Sequence, residues 1–214
     1  MLELFCLSLN TTIIEAGLRQ AEERLVSKSH PQHMRQNAEV HIRLAHVDDA
    51  TGIAKVHVDT WRTSYQGIVP DDVLVGLSYE QREARWRQGF QGDSDTCIYV
   101  AVNDGNEVIG FGNAGAERDG NTDFTGEIYA LYVLKSYQGQ GIGRRLVQAC
   151  VQHLFEARHH SLLIWVLADN PARAFYEALG GKVVDEKMLS MGEKELLELA
   201  YGWEDMQSLV NGIS

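Results

Sequence analysis

Gly139, Gly141 and Gly143 punctuate the segment Gln138-Gly-Gln-Gly-Ile-Gly-Arg-Arg-Leu146, between an apolar run and an amphipathic one. Glycine lets backbone N–H groups come close to a ligand, and the first turn of a helix offers unpaired donors with partial positive charge. A glycine loop that opens a helix is therefore a phosphate cradle. Two common cradles fail on spacing. A triphosphate loop needs G-x-x-x-x-G-K-[ST], but Gly143 is followed by Arg144 and Arg145. A dinucleotide fingerprint needs G-x-G-x-x-G, and here the third glycine comes one residue early.

What remains is Gln138-x-x-Gly141-x-Gly143, which resembles the Q/R-x-x-G-x-G/A segment of the GNAT superfamily of acetyl-CoA-dependent N-acetyltransferases. Further segments extend the likeness over roughly residues 40 to 205. Asn170-Pro-Ala-Arg-Ala-Phe-Tyr176-Glu-Ala-Leu-Gly180 resembles the family's N-x-x-A-x-x-F-Y-E-x-x-G, shorter by one residue. Ile42-Arg43 and Trp61-Arg-Thr-Ser-Tyr65-Gln-Gly-Ile-Val-Pro70 resemble the opening strand and first helices of many bacterial members.

The resemblance implies a site. Acetyl-CoA is the co-substrate, its pyrophosphate on Gly139, Gln140, Gly141, Ile142 and Gly143, with Gln138 and Arg144 beside it. Its pantetheine arm pairs like an added strand with Leu131, Tyr132 and Val133. Asn170 contacts the coenzyme or caps the helix that follows, and Arg144 and Arg145 either reach phosphates or are solvated. Glu127, eleven residues before Gln138, falls where many members carry a catalytic carboxylate on the same strand. Tyr176 falls where an acid donates to the departing sulfur, close enough to touch the coenzyme. The first two helices and the last two strands shape the acceptor pocket, pointing to Trp61, Tyr65, the 66–70 loop, Tyr201 and Trp203.

Such a pair of groups has work to do. A lysine-like amine with pKa ~10.4 is neutral in only about one molecule in 2,500 at pH 7, and the reaction expels a thiolate with conjugate-acid pKa ~8.5. A base and an acid on opposite sides of the thioester lower both barriers. The expected mechanism is direct attack, with Glu127 acting through an ordered water and Tyr176 as acid. The acceptor is a primary amine, a small molecule in preference to a protein N-terminus or lysine. A second reading is a non-catalytic acyl-CoA-binding sensor or interaction module, and a third is a nucleotide-binding protein. No metal is required: the eight histidines include no H-E-x-x-H, and His159-His160 sits at a helix end, where cations are favoured anyway.

The elements that position these residues follow from periodicity. Val40–Leu44 reads as a strand, and a helix from Asp48 or Asp49 through Tyr65 carries Ile53, His57 and Trp61 on one face. A second helical region starts at Pro70, breaks near Gly76 and resumes over 78–88. Thr96–Asn103 and Glu107–Ala116 alternate like a hairpin around Asn103-Asp-Gly-Asn106. Glu127–Leu134 and Leu162–Ala168 are continuous apolar runs, as expected of buried strands, and the helix over 140–157 between them makes a parallel β-α-β unit. A helix over 170–179 stops at Gly180-Gly181, and strands over 182–191 and 195–203 follow. The expected class is α/β (α+β): a GNAT-like mixed, mostly antiparallel sheet of about seven strands, a central parallel pair and about four flanking helices. The catalytic domain spans 40–208, with a C-terminal tail over 209–214.

Residues 1–39 form an extension, with a capping box at Thr12-x-x-Glu15, a helix over 13–26 and a polar linker. It is a docking helix, an appendage, or a stretch preceding a natural start at Met34. Within 214 residues, a formal charge of −11 argues against nucleic acid and favours a cationic acceptor. Cys6, Cys97 and Cys150 have no C-x-x-C spacing, and Glu3 stands where a signal peptide would be basic. No apolar stretch approaches ~20 residues, so the expected setting is cytoplasmic, with no membrane partner. A homodimer is compatible with the resemblance, the apolar face of the N-terminal helix being the one interface feature in the sequence.

Overall fold

A computed structural model describes residues 39–90 and 95–211. The expected helix over 13–26 and its linker, like residues 212–214, lie outside the described residues. The strands are β1 (His41–Leu44), β2 (Cys97–Val102), β3 (Val108–Ala116), β4 (Gly126–Val133), β5 (Leu162–Leu167), β6 (Lys182–Met191) and β7 (Lys194–Trp203). The helices are α1 (Ala50–Ser64), α2 (Asp71–Val75), α3 (Tyr79–Gly89), α4 (Ile142–Glu156), α5 (Arg173–Ala178) and α6 (Gln207–Asn211). One seven-stranded sheet runs β1-β2-β3-β4-β5-β7-β6, antiparallel except between β4 and β5. The expected mixed sheet with a central parallel pair is therefore observed.

Local sequence explains the element ends. The Ser78 hydroxyl accepts from the Gln81 N–H and starts α3, while Gly76 ends α2. Along α4, Ile142, Leu146, Val147, Cys150, Val151 and Leu154 are buried, the stripe that a 3.6-residue period demands. That stripe sits close on β3, since a Cβ at Gly112 would lie 2.9 Å from the Cys150 sulfur. The opposite face of β2 and β3 is covered by α1 with Trp86 of α3. Helix α6 runs past residue 209, where a tail was expected to begin, and Leu209 is buried against α4.

His57 of α1 is buried among aromatic rings, stacked on Tyr132 at 5.0 Å with Trp61 at 5.9 Å. Loss of water, reinforced by the Arg82 and Arg85 charges, pushes its pKa well below the ordinary range. The folded protein thus holds His57 neutral, and the unfolded chain takes the proton first as pH falls. This contribution to stability is intact above about pH 6.5 and is lost below it. The melting temperature should therefore drop from neutral pH to mildly acidic pH, and His57→Leu should flatten that slope.

The sequence reads β4 and β5 as buried strands running parallel to each other. Only Gly126 with Leu162 and Glu127 with Leu163 are in register. Beyond them the strands part, and Tyr129 to Tyr132 are half-buried. The cause is local: against β3, Ile128 opposes Ala114 and Ala130 opposes Asn113, so Tyr129 is an extra residue on β4. A bulge of this kind bends a strand and raises its twist.

Candidate active site

The parting of β4 and β5 opens a cleft. Its floor is Ile128 to Val133, one wall is Ile164 to Val166, and Thr60, Ser64 and Tyr65 of the α1 end close the other. Tyr65, Leu131, Tyr132, Val133, Gln138, Asn170 and Tyr176, all expected from the sequence, meet here.

The glycine loop leads from β4 into α4. Gly139 has φ +74° and Gly141, the residue before the first turn of α4, φ +77°. Left-handed backbone is strained for most other residues. No atom lies within 4 Å of a Cβ built on either, so conformation and not crowding asks for glycine there. Gln138 braces the turn: its side-chain amide donates to the Val133 carbonyl at 2.9 Å. Arg145 donates to the Val40 carbonyl at 2.8 Å and is tied to the opening of the sheet. Arg144 lines a separate cavity of about 290 Å³ between α4, α5 and α6.

Tyr176, on α5, is 6 % exposed and packs against Phe175 and Tyr201. Burial, with a smaller push from Tyr65, raises its pKa well above the ordinary phenol range. Its hydroxyl has no hydrogen-bond partner among the described residues, so its proton is available to a ligand in the cleft. The Asn170 side chain accepts from the Ala172 N–H at 2.9 Å and so braces the turn entering α5.

Glu127 is 2 % exposed and lies at the last in-register pair before the cleft. Arg118 grips both carboxylate oxygens, Nε to Oε2 at 3.1 Å and Nη2 to Oε1 at 2.6 Å. The same guanidinium lies 3.9 Å from the centre of the Tyr129 ring. The Tyr129 phenol, pushed up to about 12 chiefly by loss of water, donates to the Ala116 carbonyl. Nothing in the sequence pointed to Arg118, which sits in the polar segment between β3 and β4. Removing it strands a buried charge. Because the Arg118 side chain is 43 % exposed, Arg118→Ala should cost about 1–3 kcal/mol in denaturant unfolding, less than for a fully buried pair.

Three residues expected near the acceptor are buried and do not line the cleft. Trp61 is buried and donates from its indole N–H to the Tyr132 hydroxyl at 3.0 Å. Trp203 is buried against Gly181 and donates to the Leu179 carbonyl at 3.0 Å. Tyr201 is fully buried, and its hydroxyl accepts from Arg173 and donates to Glu177. Trp165 does reach the cleft and was not anticipated, since it lies within an apolar run read as core.

Among the described residues no group of three or more His, Cys, Asp or Glu side chains is arranged to hold a metal ion, and no helix is long and apolar enough to cross a membrane.

The seven-stranded mixed sheet with its parallel β4–β5 pair matches the fold of solved N-acetyltransferases. The PaiA N-acetyltransferase of Thermoplasma acidophilum, solved in complex with coenzyme A, superposes with a TM-score of 0.57 at 20% identity, covering 75% of this chain and 98% of that one. The yncA protein of Salmonella typhimurium, solved with acetyl-CoA, gives 0.59 at 20% identity, covering 78% and 94%. The chain belongs to the acetyltransferase (GNAT) family, whose model matches residues 58–181. It is similar to YuaI, an uncharacterized N-acetyltransferase of Bacillus subtilis (strain 168), with 35% identity over 171 residues covering 79% of this chain and 96% of that one.

Proposed function

We propose that the protein transfers an acetyl group from acetyl-CoA to a primary amine, a small molecule in preference to a protein N-terminus or lysine. The observation that carries this reading is the cleft at the strand split, which brings Gln138, the residue entering the left-handed glycine loop, together with the Tyr176 phenol, whose proton burial holds in place. The residues fit the co-substrate. N–H groups of the 139–143 turn would receive its pyrophosphate, and the unpaired edge of Leu131–Val133 would receive its pantetheine amides. Similar folds solved with coenzyme A and with acetyl-CoA support the same assignment.

Acetyl-CoA supplies an activated thioester; the protein supplies position and protons. The amine nitrogen attacks the thioester carbonyl carbon, the carbon–sulfur bond breaks, and its electron pair leaves with sulfur. Tyr176 gives its proton to that sulfur. Glu127, through an ordered water, takes the proton that the amine nitrogen loses, because Arg118 occupies one direction on each of its oxygens and leaves the other lone pairs to accept. Thiol release from acetyl-CoA, followed across a panel of small amines, tests the reading. Turnover with at least one amine is expected; binding without any turnover would favour the acyl-CoA sensor.

A further inference from the structure

On the face of β5 and β7 away from α4, Trp165 packs with Leu163, Ala200 and Phe124. Trp165 opposes Ala200 and Leu167 opposes Glu198, so strand alternation puts Glu198 on the same face as Trp165. On its other side Glu198 opposes Lys187 of β6. Opposite charges directly across a strand pair ordinarily meet. These do not. The Lys187 ammonium instead binds Asp119, on the segment between β3 and β4, at 2.8 Å and lies 3.9 Å from the centre of the Trp165 ring.

Two carboxylates of this face are left without an ion pair among the described residues, the exposed Asp185, opposite Ala200, and Glu198. Arg118 is spent on Glu127 and Lys187 on Asp119, while Glu198 makes no hydrogen bond or ion pair among the described residues. It is half-buried, and loss of water raises its pKa against the opposing pull of Lys187 and Arg118, with Asp119 and Glu127 adding to the rise. The face adjoins the cleft through Tyr129 and Trp165, which line it. Two buried polar atoms of cleft residues have no partner among the described residues: the Thr60 hydroxyl, itself 4 % exposed, which can accept from an ammonium, and the Trp165 indole N–H, which donates only and calls for an acceptor atom. Buried polar groups are rarely left unpaired unless something else completes them.

We propose that Glu198 docks the ammonium group of the acceptor, and that Asp119 keeps Lys187 from occupying that place. This inference rests on the acetyltransferase reading and narrows its substrate class to amines that arrive protonated. Glu198 acts on binding; the docked ammonium then loses a proton through the ordered water to Glu127 before its nitrogen attacks, and Tyr176 acts on the departing sulfur.

The test is steady-state kinetics with acetyl-CoA and n-butylamine as common probe, together with the best amine of the panel, at neutral pH. A charge-assisted hydrogen bond sets the scale: Glu198→Gln should raise the amine KM about 10–100-fold, leave kcat within about threefold and leave acetyl-CoA affinity unchanged. Asp119→Asn, at a side chain 59 % exposed, should also raise the amine KM by freeing Lys187 to pair with Glu198. Adding Lys187→Met to it should bring KM back. An amine KM within twofold of wild type in Glu198→Gln overturns the proposal, as does an equal loss of kcat and coenzyme affinity. Absence of turnover with every amine by the wild-type protein overturns the acetyltransferase reading, and this inference with it.

Discussion

Tyr176→Phe is expected to lower kcat by about 10²–10⁴-fold, the range for a positioned acid, while leaving acetyl-CoA affinity essentially unchanged. The substitution removes one oxygen and keeps a ring whose packing against Phe175 and Tyr201 supports the cleft wall. Because burial raises the phenol's pKa, the proton stays on through neutral and mildly alkaline pH. A fall in activity toward moderately high pH therefore belongs to another group. Stopped-flow thiol release under saturating substrates measures the effect on the transfer step, and calorimetry with coenzyme A checks the fold. Unchanged kcat would remove Tyr176 from the mechanism.

The second large effect is expected at the glycine loop. Gly141→Asp and Gly141→Asn should be compared, since both residues tolerate left-handed backbone better than most and neither meets an atom within 4 Å at Cβ. The backbone cost is then nearly equal in the two variants, and they differ in charge. Two like charges about 4 Å apart near a protein surface repel by roughly 4 kcal/mol before salt screening. Acetyl-CoA affinity should fall by about 100-fold in Gly141→Asp and by no more than about 10-fold in Gly141→Asn. Equal affinities in the two variants would mean that no phosphate approaches this turn.

Much of the fold was legible because it rests on periodicity. The inner stripe of α4, the core face of α1 through Ile53, His57 and Trp61, and the hairpin of β2 and β3 follow from residue spacing alone. The parting of β4 from β5 was not legible. Tyr129 looks like one more residue of an apolar strand, and a bulge there depends on how β3 pairs with β4, not on composition. The Arg118–Glu127 pair was hidden for a similar reason, since an ion pair across an irregular turn has no fixed spacing. Trp61 and Trp203 were expected beside the acceptor, yet both indole nitrogens are spent on internal partners. Large aromatic rings carry much of the buried area of any core, so their type alone does not separate packing from binding. Lys187 shows the limit from the other side: register alone pairs it with Glu198, and only the side-chain geometry shows it turned to Asp119.

The claim on which the rest depends is that the turn from Gln138 to Gly143 grips a diphosphate through its main chain. Isothermal titration of the folded protein with acetyl-CoA measures this directly. A saturable heat, weakened about 100-fold in Gly141→Asp and retained in Tyr176→Phe, is the predicted result. No heat with acetyl-CoA from correctly folded protein would contradict it.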